Sequence, residues 1–280
     1  MNIITHRWLE PLNLEFKFTE SSSEAFENHL YRWYWIEFDI NKSKDNKYFI
    51  FHDKWFSRIS KWKNNQFFNE LDYFEIKKIG KDYWINFILF EDLVWFIIKF
   101  HKNNVYSALH LKSTFQDKST IDYIVWIFNK YDLYEKIFIF DVKIDTAKYI
   151  KSIDKNIKLY PSVAHNYDIE RYNKYTWWTL LSLLEVIANK DLFDWVWLDE
   201  WDRKNSFGNK KFYSNELFNK LKKLWLKISL VTPELHGKSP WLLWWEIHED
   251  SLNEEILINR INEIKSLNPD YICSDNIQFI

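Results

Sequence analysis

The chain has 280 residues, 47% of them apolar, with 38 basic and 40 acidic side chains and a net charge of −2. The length bounds it to one large domain or two small ones, and the even charge offers nothing to nucleic acid or an anionic membrane. A single cysteine, Cys273, excludes an internal disulfide and a cysteine-rich zinc site. No apolar run approaches the roughly 18 residues of a membrane span, and the first seven residues lack a signal peptide's apolar core. The expectation is a cytoplasmic protein that handles a small molecule.

Short β-like runs alternate with helix-like runs along the chain. Strands are expected at 2–5, 34–40, 105–111, 136–141, 157–160, 193–198, 227–231 and 270–274. Helices are expected at 22–31, 121–131, 146–153, 179–189, 214–224 and 253–267, with Ser214 as an N-cap. Residues 47–51 read as an extra strand that forms a hairpin with the second, turned at Lys44-Asp45-Asn46. Residues 54 to about 104, with a helix-like run at 90–100, read as an insertion over one face. Eight strands alternating with helices predict an α/β fold, a parallel (β/α)8 TIM barrel with an insertion after the second strand, as a single domain over 1–280. A doubly wound open sheet is the alternative.

Composition adds a second signal. Seventeen Trp stand against three Gly, and together they make about 7% of the chain, the ordinary share of glycine alone. Many Trp stand where a turn wants glycine. Trp177-Trp178 and Trp244-Trp245 are doublets in turn-like stretches, Trp8 follows His6-Arg7, and Trp33 and Trp35 flank the start of a strand. The expectation is UGA recoding, in which a codon read as glycine by the source has been translated as Trp; a truly Trp-rich protein with a carbohydrate-stacking surface is the alternative. The abundant Lys, Asn, Ile, Phe and Tyr, with their A/T-rich codons, fit such a genome.

Active sites of parallel barrels sit at the C-terminal ends of the strands, and those ends are polar here. Glu37 and Asp39 lie two apart on one strand and share a face. Two carboxylates converging in a barrel mouth call for a cation, and hard oxygen ligands suit Mg²⁺ or Ca²⁺. His6 and His52 close neighbouring strands and are candidates for acid–base chemistry. Arg7 and Lys112 offer positive charge to a phosphate. His110, His165, Asp199, Glu234 and His236 are further polar strand ends that could line the pocket.

These residues carry a resemblance. His6-Arg7, the Glu27-Asn28 element, Ile36-Glu37-Phe38-Asp39, the Lys44-Asp45-Asn46 turn, Phe51-His52-Asp53 and Arg58 resemble the glycerophosphodiester phosphodiesterase family, a phospholipase-C-like barrel. The run Asp270-Tyr271-Ile272-Cys273-Ser274-Asp275 is similar to that family's closing strand. Trp8 and Trp35 fall where the family has glycine. The resemblance implies metal-dependent hydrolysis of glycerophosphodiesters to glycerol phosphate and an alcohol, a step of lipid metabolism. It implies Glu37 and Asp39 as metal ligands, His6 and His52 as catalytic histidines, and Arg7 as a phosphate contact.

One departure stands out. The family's third strand carries Glu-x-Lys, and this chain has His110-Leu111-Lys112, which makes the His110 imidazole the candidate third metal ligand in place of a carboxylate. The motif Thr232-Pro233-Glu234-Leu235-His236 also differs from the family's and offers a substitute carboxylate. Three alternatives follow: a cyclising lyase of the same class, a non-catalytic barrel that binds a phosphorylated or sugar ligand, and a glycoside hydrolase using Asp199, Glu200 or Glu234 with Trp as sugar platforms.

Overall fold

The short apolar runs fold into strands whose two faces are both covered. The structure, a computed structural model, describes residues 1–6, 21–101, 105–175, 178–205, 208–236 and 248–280. Its strands are β1 (Asn2–His6), β2 (Trp35–Lys42), β3 (Tyr48–Ile50), β4 (Ser107–His110), β5 (Ile137–Phe140), β6 (Leu159–Tyr160), β7 (Ser162–Ala164), β8 (Leu180–Leu181), β9 (Trp195–Asp199), β10 (Lys204–Asn205), β11 (Gly208–Asn209), β12 (Lys227–Val231) and β13 (Tyr271–Ser274). Its helices are α1 (Ser23–Tyr31), α2 (Tyr73–Asp82), α3 (Phe90–Phe100), α4 (Lys118–Tyr131), α5 (Ile144–Ile153), α6 (Asn166–Tyr175), α7 (Leu183–Ala188), α8 (Asn215–Lys223) and α9 (Glu254–Ser266).

Sheet order runs β6-β5-β4-β2-β1-β13-β12-β9-β7-β8. Only Pro161 separates β6 from β7 in the chain. β6 pairs with β5 on one side and β7 with β9 on the other, both in parallel, so one strand interrupted by Pro161 joins the two ends of the sheet and closes the barrel. Pro161 lacks an N–H, but its carbonyl still accepts from Trp197 at 3.0 Å. Each of the eight expected barrel strands has its counterpart in this ring. β3 runs antiparallel to β2, with Ile40 opposite Ile50, which is the expected hairpin.

Helix starts follow local chemistry. The side chains of Ser22, Asp117, Ser214 and Asn253 each accept from a backbone N–H of the first turn, a contact that typically stabilises by about 1 kcal/mol. The helix expected at 179–189 is shorter than predicted. Leu180 and Leu181 join the sheet first, and α7 starts only where Ser182 and Glu185 form a capping box.

Inside the barrel, aromatic rings replace the usual branched aliphatics. Phe138 stacks on Tyr160 at 3.8 Å, Tyr160 on Trp195 at 4.9 Å, and Phe140 on Trp197 at 4.2 Å. Trp35 belongs to the strands' N-terminal end, where it meets His101 edge-on at 6.1 Å. It therefore leaves the mouth, where Glu37 and Asp39 stand, uncrowded. On the outside, Phe38 meets Phe90 of α3 at 5.7 Å, which leaves the alternate residues of β2, Glu37 and Asp39, to the interior. A second small core under the hairpin joins Phe49, Phe51, Phe56, Phe68 and Phe87; each fully buried Phe contributes about 1.5–3 kcal/mol. Gly80 fits there because a Cβ would stand 2.4 Å from the Ile85 carbonyl oxygen.

Candidate active site

Strand register assembles the site. β1 sets His6 beside Glu37, and β4 sets His110 beside Asp39. All of these are at C-terminal strand ends or just short of them, so the barrel gathers them at one mouth. His110 Nδ1 lies 3.0 Å from Asp39 Oδ1 and 3.9 Å from Glu37 Oε1. Lys112 Nζ lies 3.0 Å from Asp39 Oδ1 and donates to the carbonyl of His52. Thus His52, from beyond the hairpin, is tied to β4 through the same lysine. Glu37, Asp39, His110 and Lys112 are all buried.

Electrostatics follow from this packing. Burial opposes charge on Asp39, but Lys112, His52 and His110 outweigh it and hold the carboxyl well below its ordinary range. Burial likewise opposes charge on His110. Hydrogen bonds and charges from Asp141 and Asp39 overcome it and push the ring up to about 9. Without a metal, the site is therefore an ionised Asp39 between two cations.

The two candidate acid–base histidines share one arrangement. His6 Nδ1 lies 2.8 Å from Asp275 Oδ1, and His52 Nδ1 lies 2.6 Å from Asp53 Oδ1. Asp53 is itself fixed by Arg58 Nε at 2.7 Å and is held below the carboxylate range, against its burial, by His52 and Arg58. A carboxylate on Nδ1 sets the tautomer and aims Nε2 elsewhere. Nothing in the sequence motifs assigns a role to Asp275 or Asp53; their task is visible only once the ring partners are in place.

The remaining expected residues divide. Glu234 is buried and accepts from Thr232 Oγ1 at 2.6 Å, from Ser274 Oγ, and from the Asp275 N–H at 3.2 Å; burial raises its carboxyl. It therefore buttresses the turn that carries Asp275. Asp199 bonds His236 Nε2, and that ring stacks on Trp201 at 4.1 Å. His165 accepts from the Tyr167 N–H and, among the described residues, has no hydrogen bond to the central cluster. Glu200 is engaged by Arg260 and by the N–H groups of Phe212 and Tyr213. Against its burial, His248 and Arg260 hold it at about 2. Arg7, Trp8, Trp177 and the Trp244-Trp245 doublet lie outside the described residues.

The set Glu37, Asp39 and His110 presents one ligand atom each within 4.8 Å of one another. Two carboxylates and an imidazole form a donor set that a divalent ion accepts, and separations of 3.0 and 3.9 Å suit neighbouring ligands at about 2.0–2.2 Å from an ion. The residues fit a metal. Among the described residues no helix is long and apolar enough to cross a membrane.

No family model matches the sequence, and no curated protein matches it. Solved structures do. A protein of Galdieria sulphuraria assigned as a glycerophosphodiester phosphodiesterase superposes with a TM-score of 0.67 at 15% identity, covering 98% of this chain and 94% of that one. The Oleispira antarctica phosphodiesterase in complex with the product sn-glycerol-3-phosphate gives 0.62 at 13% identity, with 99% and 94% covered. The Thermotoga maritima glycerophosphodiester phosphodiesterase gives 0.60 at 14%, with 99% and 95% covered. The chain has the α/β barrel fold of the glycerophosphodiester phosphodiesterases.

Proposed function

We propose that this protein is a glycerophosphodiester phosphodiesterase that hydrolyses its substrate to glycerol phosphate and an alcohol. The observation that carries the reading is the gathering of His6, Glu37, Asp39, His52, His110 and Lys112 at one mouth of a barrel with that fold. The neighbour from Oleispira antarctica holds sn-glycerol-3-phosphate, which supports a substrate of the same class here.

Glu37, Asp39 and His110 would hold a divalent ion. Bound there, it supplies Lewis-acid polarisation of the phosphoryl oxygens. Lys112 places a fixed positive charge beside Asp39 and keeps that carboxylate ionised. Arg7, next to His6 in the chain, supplies a second cation for the phosphate. His6 and His52 divide the proton work. With Nδ1 of each held by a carboxylate, Nε2 is the atom that exchanges protons. One ring takes a proton from the nucleophile, water or a substrate hydroxyl, and the other gives one to the departing alcohol. The glycoside hydrolase alternative is weaker, because Glu200 is committed to Arg260 and Asp199 to His236.

The test is a hydrolysis assay on a panel of glycerophosphodiesters with and without chelator. Release of glycerol phosphate that stops on chelation and returns with added Mg²⁺, Ca²⁺ or Mn²⁺ is the expected result. Full activity in strong chelator would rule out the mechanism.

A further inference from the structure

The departure at His110 raises a question that a carboxylate ligand does not: which ring nitrogen faces the metal. Five contacts fix the answer. Phe140 stacks on the His110 ring at 4.7 Å and Trp178 closes against it at 4.7 Å. Nδ1 faces Asp39 and Glu37 at 3.0 and 3.9 Å, and Nε2 faces Asp141 Oδ2 at 3.2 Å. Asp141 is fully buried and has a φ of 67°, a left-handed backbone that costs free energy outside glycine. Its carboxylate is oriented by the Thr179 N–H, at 2.8 Å from Oδ1 and 3.0 Å from Oδ2, and its carbonyl accepts from Gln116 Nε2 at 2.7 Å. A buried aspartate on left-handed backbone, with its carboxylate held by the Thr179 N–H and aimed at one nitrogen, is a costly feature for packing alone.

We propose that Asp141 is a positioning residue that keeps on Nε2 the one proton His110 retains when it gives up the other to bind an ion, so that the Nδ1 lone pair then faces Glu37 and Asp39 and completes the metal site. The inference rests on the metal-site reading above. It explains how imidazole can stand where the resembling family has a carboxylate: the swap works only with a partner for the second nitrogen.

The test is calorimetric titration with Mn²⁺ of the wild type, D141N, H110E and H110E/D141N. In D141N the Thr179 N–H keeps the amide oxygen, the NH₂ turns to His110 Nε2, and the ring proton is driven to Nδ1. Asn tolerates the left-handed backbone, so the fold should persist. D141N is expected to weaken Mn²⁺ binding about 10–100-fold, whereas adding D141N to H110E should change nothing, since a carboxylate has no tautomer. Equal binding by wild type and D141N, or the same loss in both backgrounds, overturns the role of Asp141 and leaves the metal site standing. A folded wild type that binds no Mn²⁺ overturns the metal reading and this inference together. As a second readout, ¹⁵N NMR of the Zn²⁺-loaded wild type should find the His110 proton on Nε2, and a proton on Nδ1 overturns the assignment.

A separate observation bears on the chain's own code. Trp33, Trp62, Trp84 and Trp225 have φ of 69°, 66°, 60° and 63°. Trp33, Trp84 and Trp225 each follow a helix cap, and the next residue's N–H reaches back five positions, Tyr34 to His29, Ile85 to Gly80 and Leu226 to Leu221. This is the helix ending in which glycine dominates. Packing does not compensate, since Trp84 and Trp225 are each 92% exposed. Trp35 and Trp197, inside strands, lack positive φ.

We infer that the codons for Trp33, Trp62, Trp84 and Trp225 specify glycine in the source. UGA at these codons in the gene, with glycine in the native protein's peptides, is the expected finding, and UGG overturns the inference. Trp33→Gly, Trp84→Gly and Trp225→Gly should each raise Tm by about 2–4 °C, while W197G, which empties a stacked core position, should lower it. A fall in Tm for the first three would also overturn it.

Discussion

His6 and Asp275 are 269 positions apart, and His6 Nδ1 lies 2.8 Å from Asp275 Oδ1. The first barrel strand thus takes its orienting carboxylate from the residue after the last. Asp275→Asn should present an amide N–H to Nδ1 and force the proton to Nε2. The expected outcome is a loss of about 10²–10⁴-fold in kcat, the full worth of one acid–base group, with KM little changed. Steady-state kinetics on a glycerophosphodiester checks it, and an unchanged kcat would exclude His6 from proton transfer.

Asp53→Asn tests the other histidine and carries a different structural cost. Asp53 serves His52 and Arg58 at once, so the variant also loosens the segment that carries Arg58. Arg58 is 27% exposed on its side chain, so water can take up its charge and the stability loss should stay near about 1 kcal/mol. A kcat loss comparable to that of Asp275→Asn, with a small change in melting, is the expected pair of readings.

Glu37 and Asp39 should not behave alike. Asp39 is the buried partner of Lys112 and His110. Asp39→Asn breaks a buried charge pair with Lys112, which typically costs about 3–5 kcal/mol. Glu37 lies farther from His110, at 3.9 Å, so its contact with that ring is the weaker of the two. Glu37→Gln should therefore remove metal binding and activity with little change in melting temperature, whereas Asp39→Asn should lower both. Calorimetric metal titration alongside thermal melting separates the two effects.

The barrel was legible because each of its strands is a short apolar run closed by polar residues, and burial on both faces demands that composition. The site was legible where its residues are close in sequence, as with Glu37 and Asp39 or His52 and Asp53. It was not where they are far apart. Nothing local to Asp141 announces that it will meet His110, 31 positions earlier. α6 was missed for a related reason. Among its described residues it buries little apolar surface, with Tyr172 the one large side chain fully covered. Instead, Asp168 and Arg171 join Lys210 and Asp202 in an ion network. The strand β8 was read as helix because residues 180–187 have helical spacing. Asn173 decided otherwise, its amide bonding both the N–H and the carbonyl of Leu180.

Acid should destabilise the fold through His29, a buried ring of α1. His29 is fully buried on α1, and its Nδ1 donates to Thr5 Oγ1 at 3.0 Å, while that hydroxyl donates to the Trp35 carbonyl. Burial, with Arg32 nearby, lowers the ring from 6.5 to about 3. The folded ring stays neutral while the unfolded one takes a proton below 6.5. Stability is therefore complete above that pH and declines as pH falls toward 3, by up to about 1.4 kcal/mol per unit. Urea unfolding at pH 6.5 and 5.0 should show a loss of about 2 kcal/mol in the wild type and a clearly smaller one in His29→Met, which has no titrating group there. Equal losses in the two proteins would place the acid sensitivity elsewhere.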